Sequence, residues 1–333
     1  MALPPIEVAS EEHVDFPDSS GGKQIAGKSP VRIALTRLRH DKVAMTSTAV
    51  VVFFVLVGAG APLWTKLAGV TLRAANSSSD IGFDTYPLVG PPDHGFDIHH
   101  PFGVAIGTGY DLFAEWVYGA RTSLEVATAS VVLATVMGIL IGLVAGFSTG
   151  WLDKVISFVI DVFLTLPFLL VAFMVAAILV SRFASDPNSL GTWRFWTLIL
   201  ILGGFGWMGL ARLIRGEILS LREREFIQAA RVIGVPYRSI LFKELLPNLL
   251  APIVVSISLG LPAYVAAEAA FAYLGIGLTD RPSWGQTIAQ SVNYFDSYGL
   301  WLWEPLLGVL AFVMALNLLG DAVRDAFDPK TRR

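Results

Sequence analysis

Cysteine is absent from the 333 residues, and charge is scarce: Asp, Glu, Lys and Arg together make 15% of the chain. The first absence excludes disulfides and thiolate metal sites. The second, set beside 54% hydrophobic residues, suits an integral membrane protein better than soluble domains. Catalytic signatures are missing too. No G-x-x-x-x-G-K-[ST] phosphate cradle occurs; the nearest fragment, "SSGGKQ" at 19–24, lacks the first Gly and the Ser or Thr. No G-x-S-x-G nucleophile elbow is present. The net charge of -3 averages a basic side with an acidic one, and it makes no case for nucleic-acid binding.

What is present is apolar length. A helix crossing the hydrocarbon core needs about 20 mostly apolar residues, and six runs approach it: 46–64, 123–147, 155–180, 195–211, 249–273 and 301–320. The fourth and sixth are the least secure, because Gly, Pro or Glu304 stands close to their ends. Hydropathy alone therefore gives five or six spans. Lys and Arg collect on cytoplasmic segments. With the N-terminus inside and six spans, 18 of the 24 basic residues fall on inner segments and 6 on outer ones, which predicts both termini in the cytoplasm. Residues 1–22 are acidic and rich in Pro, Ser and Gly, too poor in apolar area to fold. They do not resemble a signal peptide, so the first span reads as an uncleaved anchor. The expected organisation is a disordered cytoplasmic tail (1–30), a first span with a long outer loop (31–122), a core membrane domain (123–320) and a cytoplasmic tail (321–333).

Two outer segments, 65–122 and 274–300, carry aromatic residues beside turn residues, and contact with an external partner or substrate is the expected role. His94, His99 and His100 stand near Asp93 and Asp97, but without a helical i, i+4 pair, so loop polarity outweighs a metal site. Besides Glu304 near the end of its run, three acids stand out within apolar runs: Glu125, Asp161 and Glu268. A charge in hydrocarbon costs at least ~2.5 kcal/mol on insertion scales, so each should face protein or water. Helix-to-helix hydrogen bonding, or a place at the inner mouth for Asp161, is the weightier reading; a proton relay through Asp161 and Glu268 is the sharper one. Gly138, Gly142 and Gly146, spaced four apart, let one helix face approach a neighbour closely. Pro167 and Pro262 are expected to bend their spans.

Between the fourth and fifth runs lies "EFIQAARVIGVPYRSILFKELLPN", residues 225–248. Residues 217–233 read as a helix with Ile218, Leu221, Phe226, Ala229 and Val232 near helical spacing. Gly234 supplies the stop, Pro236 opens a second helix with Tyr237, Ile240, Leu241 and Leu245 on one face, and Pro247 closes it. Two short helices at an angle, exposed in the cytoplasm, suit a docking knob for a partner.

This segment resembles the EAA loop of ABC importer permeases, with Gln228, Ala229, Ala230 and Gly234 at the EAA-x-x-x-G positions and Leu246, Pro247 and Asn248 at the closing LPN. More closely, the chain is similar to the C-type permease of dipeptide and oligopeptide importers. Similar stretches are "HPFG" (100–103), "YGARTSLEVA" (118–127), "IDVFLTLPFLLVA" (160–172), "ARLIRGEILSLREREFIQAAR" (211–231), "LGIGL" (274–278), "PSWG" (282–285) and "NLLGDAVRDAFDP" (317–329). Gln228 stands where the family usually has Glu, with Glu225 one turn earlier, and Glu244 stands where many relatives have His. The outer loop reads "GVAIGTGYD" from Gly103 where the family commonly has "GTDxxGRD".

The resemblance implies an all-α membrane protein of the bacterial inner membrane, with six transmembrane helices in the type I ABC importer permease fold and a cytoplasmic coupling helix-turn-helix. It implies a homologous second permease, one or two cytoplasmic ATP-binding subunits docked through residues 215–248, and an extracytoplasmic solute-binding protein. ATP and magnesium would bind the partner subunits, and this chain would hold no cofactor and carry out no bond chemistry. The coupling residues it implies are Glu225, Gln228, Ala229, Ala230, Gly234, Pro236, Leu246 and Pro247. Short peptides are the implied cargo; haem and nickel chelates are alternatives within the same machinery, and a proton-coupled carrier using Asp161 and Glu268 is a different one.

Overall fold

The computed structural model describes residues 30–73, 79–183, 187–236 and 239–328. The expected disorder of the N-terminal tail, and Tyr237, lie outside them. Regular structure among the described residues is helical, apart from two isolated β-bridges, Ile81 with Pro87 and Val104 with Asp111, both in the outer loop.

Several helices begin where a side chain takes up otherwise free amides. Helix α1 (Pro30–His40) is followed at once by α2 (Lys42–Ala59), whose cap Asp41 accepts from the Val43 and Ala44 amides at 2.8 and 3.3 Å. Helix α3 (Ala61–Ala68) stops at Gly69 in the left-handed region. Asp111 opens α4 (Leu112–Phe147) by accepting from the Ala114 amide at 2.6 Å. Helices α5 (Trp151–Thr165) and α6 (Phe168–Phe183) meet at a bend of 84°. Then come α7 (Pro187–Arg222) and the short α8 (Glu225–Val232). A π-helical turn, Ile240–Leu245, leads without a break into α9 (Leu246–Tyr273). Helix α10 (Trp284–Ser291) lies outside the long spans, and α11 (Gly299–Phe327) ends the described chain. Among the described residues five helices are long and apolar enough to cross a membrane, or six if the bent pair is one span.

Four expectations are corrected. The second span begins at Leu112 rather than 123, because Asp111 caps a helix whose first turns carry polar residues. The fourth and sixth spans, expected to be the least secure, are continuous, while the third bends at Pro167 as expected: Leu166, preceding the proline, is forced into extended backbone at φ -66°, ψ 132°. The helix expected over 217–233 breaks at Glu223 and Arg224. Pro247 does not close a helix but sits at the start of α9, which runs on directly from the π-helical turn. Helix α9 also continues through Pro262.

The bundle is held by close approach of α4 and α7. A Cβ at Gly142 would stand 2.8 Å from the Ala211 carbonyl oxygen and from Ile214 Cβ, and one at Gly146 would stand 2.8 Å from Ile218 Cβ. Gly203 on α7 answers from the other side, its added Cβ 2.8 Å from Leu133 Cδ2. Toward the outer end, rings lock α2, α4, α10 and α11 together: Phe54 lies 5.2 Å from Phe312 and 5.5 Å from Trp284, centroid to centroid. Trp284 is fully buried and donates its indole N–H to the Trp116 carbonyl at 3.0 Å, so its polar edge is satisfied. The opposite faces of α2 and α4 expose Val52, Phe53, Leu56, Val136 and Leu140, as hydrocarbon surroundings allow.

The outer loop folds onto the start of α11. Ala105, Ile106, Leu112, Tyr298 and Trp301 form a small core there, and the Tyr298 hydroxyl donates to the Pro91 carbonyl at 2.6 Å. His100 Nδ1 lies 2.8 Å from the Asp111 carboxylate. Burial pushes the Asp111 carboxyl up, opposed by the Ala114 amide and by His100. His94 is engaged too, its ring nitrogen 2.9 Å from the Pro87 carbonyl.

Candidate functional site

The turn between α8 and the π-helical segment is built around a reversal at Gly234. Its φ of 78° lies in the left-handed region, where a side chain is strained. The Val235 amide donates to the Ala230 carbonyl and the Gly234 amide to the Arg231 carbonyl, each at 3.0 Å, the two-bond pattern that ends a helix on glycine. Pro236 then accepts at its carbonyl from the Ser239 and Ile240 amides at 2.8 and 3.2 Å, starting the next helical segment. Beneath the corner, Ile227, Ile240 and Leu245 are buried against Phe147, Leu221 and Val235.

The surface of this corner differs from the sequence expectation. Ala229 and Val232 do not face inward; the break at Glu223 and Arg224 turns α8 so that Ile227 is its buried residue. Val232 is 87% and Ile233 77% exposed, so the corner ends in an apolar tip, and Phe242 in the π-helical turn is exposed as well. Glu225, Gln228, Ala229, Gly234, Pro236 and Pro247 are exposed around it, while Ala230 and Leu246 are half-buried. Gln228 donates to the Glu223 carbonyl at 3.3 Å, across the helix break. The structure thus brings the predicted coupling residues to one exposed corner and adds Val232 and Ile233, whose signal was their place beside the Gly-Pro turn.

Next to that corner, arginines of α7 join that helix to α4 and α5. Arg222 donates to the Gly146 carbonyl at 3.0 Å, joining the inner ends of α7 and α4. Arg215 holds the Asp153 carboxylate with two N–H donors at 2.8 and 3.0 Å. Farther along the same helices Arg212 pairs with Asp161. Asp153, Ser157 and Asp161 recur every four residues, a stripe visible in the sequence once α7 supplies its arginines.

Two other acids of the membrane helices, Glu125 and Glu268, have partners as well. Glu125 accepts from Arg121 at 2.8 Å, one turn away on α4, and both line a cavity of about 680 Å³ between α2 and α4. Glu268 is fully buried and accepts from the Ser123 hydroxyl at 2.7 Å, linking α9 to α4. Ser123→Ala would remove one donor from that buried carboxyl, an expected loss of about 1–3 kcal/mol seen as earlier thermal unfolding in detergent. Glu268→Gln keeps an acceptor there and should transport nearly normally. Abolished uptake by a stably assembled Glu268→Gln protein would instead make this carboxyl a proton carrier.

Long apolar helices and a discontinuous third span define a multi-pass membrane protein. Residues 138–333 match the family described as binding-protein-dependent transport system inner membrane component, and residues 29–73 match the N-terminal transmembrane domain of oligopeptide transport permease C. The chain belongs to that transport family. It is 33% identical over 310 residues to a dipeptide transport system permease, DppC, of Alkalihalophilus pseudofirmus, covering 93% of each chain. It is 28% identical over 301 residues to the oligopeptide transport system permease OppC of Bacillus subtilis, covering 90% of each. Its fold is that of a type I ABC importer permease: a chain of the inward-facing MetNI methionine ABC transporter superposes with a TM-score of 0.52 at 19% identity, over 64% of this chain and 96% of that one.

Proposed function

We propose that this chain is one of two homologous permease subunits of an ATP-driven importer of short peptides in a bacterial inner membrane. ATP-binding subunits dock on the corner formed by residues 225–248 and hold the nucleotide and magnesium; an extracytoplasmic solute-binding protein delivers cargo to the opposite side; both termini lie in the cytoplasm. The observation that carries this reading is the apolar tip at Val232 and Ile233 on a hydrogen-bonded glycine turn. Apolar side chains held out into water on a rigid corner are a surface made to be covered. Peptide cargo is supported by the names borne by the relatives. Motion of the docked subunits would move this corner as a lever, and the ion pairs of α5 and α7 would pass that motion into the spans as a rigid-body shift.

A pull-down from native membranes tests the docking. An ATPase should co-purify with the native chain and be lost when residues 225–248 are scrambled at unchanged membrane content. Recovery of the chain alone in both cases would sink the importer reading and favour a proton-coupled carrier. Asp161→Asn separates these further. With Arg212 as its partner across the α5–α7 contact, its loss should lower uptake only in part; complete loss with intact assembly would show that uptake needs the charge itself.

A further inference from the structure

Away from the cytoplasmic corner, space, aromatic walls and charge of both signs coincide at one place in the membrane domain. A cavity of about 290 Å³ lies where α5, α6, α7 and α9 meet, walled by Phe163, Phe168, Phe205, Met208 and Tyr264. A second cavity, of about 150 Å³, adjoins it on the α4 side, and Gly206 and Tyr264 line both. Tyr264 is the partition between them. A Cβ at Gly206 would run into its hydroxyl, so the tyrosine stands upright only because position 206 is bare.

The Asp161–Arg212 pair is carried by two of the same helices. Asp161 precedes Leu164, which lines the first cavity, by three residues, and Arg212 follows Met208 by four, so each charge lies one turn from a cavity wall on the same helix face. The two side chains are 60% and 59% exposed. Charges are costly against hydrocarbon, so this face meets protein or water and not lipid tails. Gly209 and Gly216 flank Arg212 on α7, and a Cβ at either would meet nothing within 4 Å, leaving the backbone open along that face.

An aromatic chamber beside one ion pair complements a ligand that carries both charges and an apolar group. A simple anion or cation would oppose one member of the pair, and a chelate or macrocycle of single charge has no use for both. We propose that this chamber is a transit site for a short zwitterionic peptide, whose termini exchange for the Asp161–Arg212 contact and whose apolar side chain enters the cavity, with Tyr264 setting the size accepted. The proposal rests on the peptide-importer reading and names the residues that would discriminate its cargo.

The test uses the assembled transporter in right-side-out vesicles loaded with ATP and supplied with its solute-binding protein, and an alanyl dipeptide bearing a benzophenone side chain. Photolabelling should map to the segments around 163–168, 205–208 and 263–267. Ala-Phe should protect about tenfold better than Ala-Ala, the scale on which an apolar pocket discriminates. In a Tyr264→Ala transporter protection should shift toward Ala-Trp, and Tyr264→Phe should keep the wild-type order. A wild-type complex that imports dipeptides but is labelled only elsewhere overturns the site while leaving the function intact. So does an importing Tyr264→Ala complex with unchanged order; where that variant fails to assemble, the wild-type labelling map decides. A wild-type complex that imports no dipeptide overturns the peptide reading and this site with it.

Discussion

Gly142→Leu is expected to leave almost no intact protein in the membrane. Position 142 faces α7 so closely that a single added carbon would already stand 2.8 Å from a backbone carbonyl oxygen and from Ile214 Cβ. Neither atom can yield: one is backbone, and the other is the branching carbon of a fully buried side chain. Gly138 and Gly146 make the same approach one turn to either side, so α4 and α7 cannot slide to make room. Overpacking in a well-filled core costs about 1–3 kcal/mol, and leucine adds four carbons here. Lipid tails are as apolar as the helix faces, so close van der Waals contact supplies much of what holds the pair together. Gly142→Ala should show the same defect in milder form. The measurement is yield and thermal midpoint of the detergent-solubilised protein; a wild-type midpoint for the leucine variant would disprove the tight α4–α7 contact.

Gly234→Val should do the reverse, leaving the protein assembled but uncoupled from ATP hydrolysis. An added Cβ meets nothing within 4 Å, so the expected damage comes from conformation and not from a clash. A φ of 78° costs an ordinary L-residue roughly 1–2 kcal/mol, and a β-branched one sits at the unfavourable end. A penalty near 1.4 kcal/mol lowers the population of the native turn about tenfold relative to its alternatives. The buried contacts of Ile227, Ile240 and Leu245 would keep the two segments together while the tip bearing Val232 and Ile233 is misdirected. Uptake should therefore fall in the order Gly, Asn, Ala, Val, since asparagine tolerates left-handed backbone better than alanine. Membrane content should stay constant through the series. Equal uptake by all four would show that the turn geometry is not used.

Much of this protein is legible along the chain because membrane insertion and turn formation are local. Each span must satisfy its own backbone in hydrocarbon, so length and apolarity alone marked the crossing segments. Gly234 and Pro236 mark the corner for the same reason, since the constraint on each resides in the residue itself. The regular spacing of Gly138, Gly142 and Gly146 likewise announced a close helix contact before its partner was known. Expectations failed where the deciding interaction came from elsewhere. Glycines and Glu304 made the fourth and sixth spans look fragile, yet Gly203 is accommodated because Leu133 of α4 fills the space beside it. Helix α8 was given the wrong inward face because the break at Glu223 and Arg224 resets the helical phase, and Ile227 is chosen by the pocket that Ile240 and Leu245 bring from the far side of the turn.

The acids mark the division most clearly. Composition and span length determined that Asp161 and Glu268 would need partners, because an unpaired charge in hydrocarbon is too costly to keep. Only the tertiary structure decided which partners: Arg212 lies 51 residues from Asp161 and Ser123 lies 145 residues from Glu268. No local pattern specifies a hydrogen bond across such separations; helix packing does, by choosing which faces of α4, α5, α7 and α9 meet.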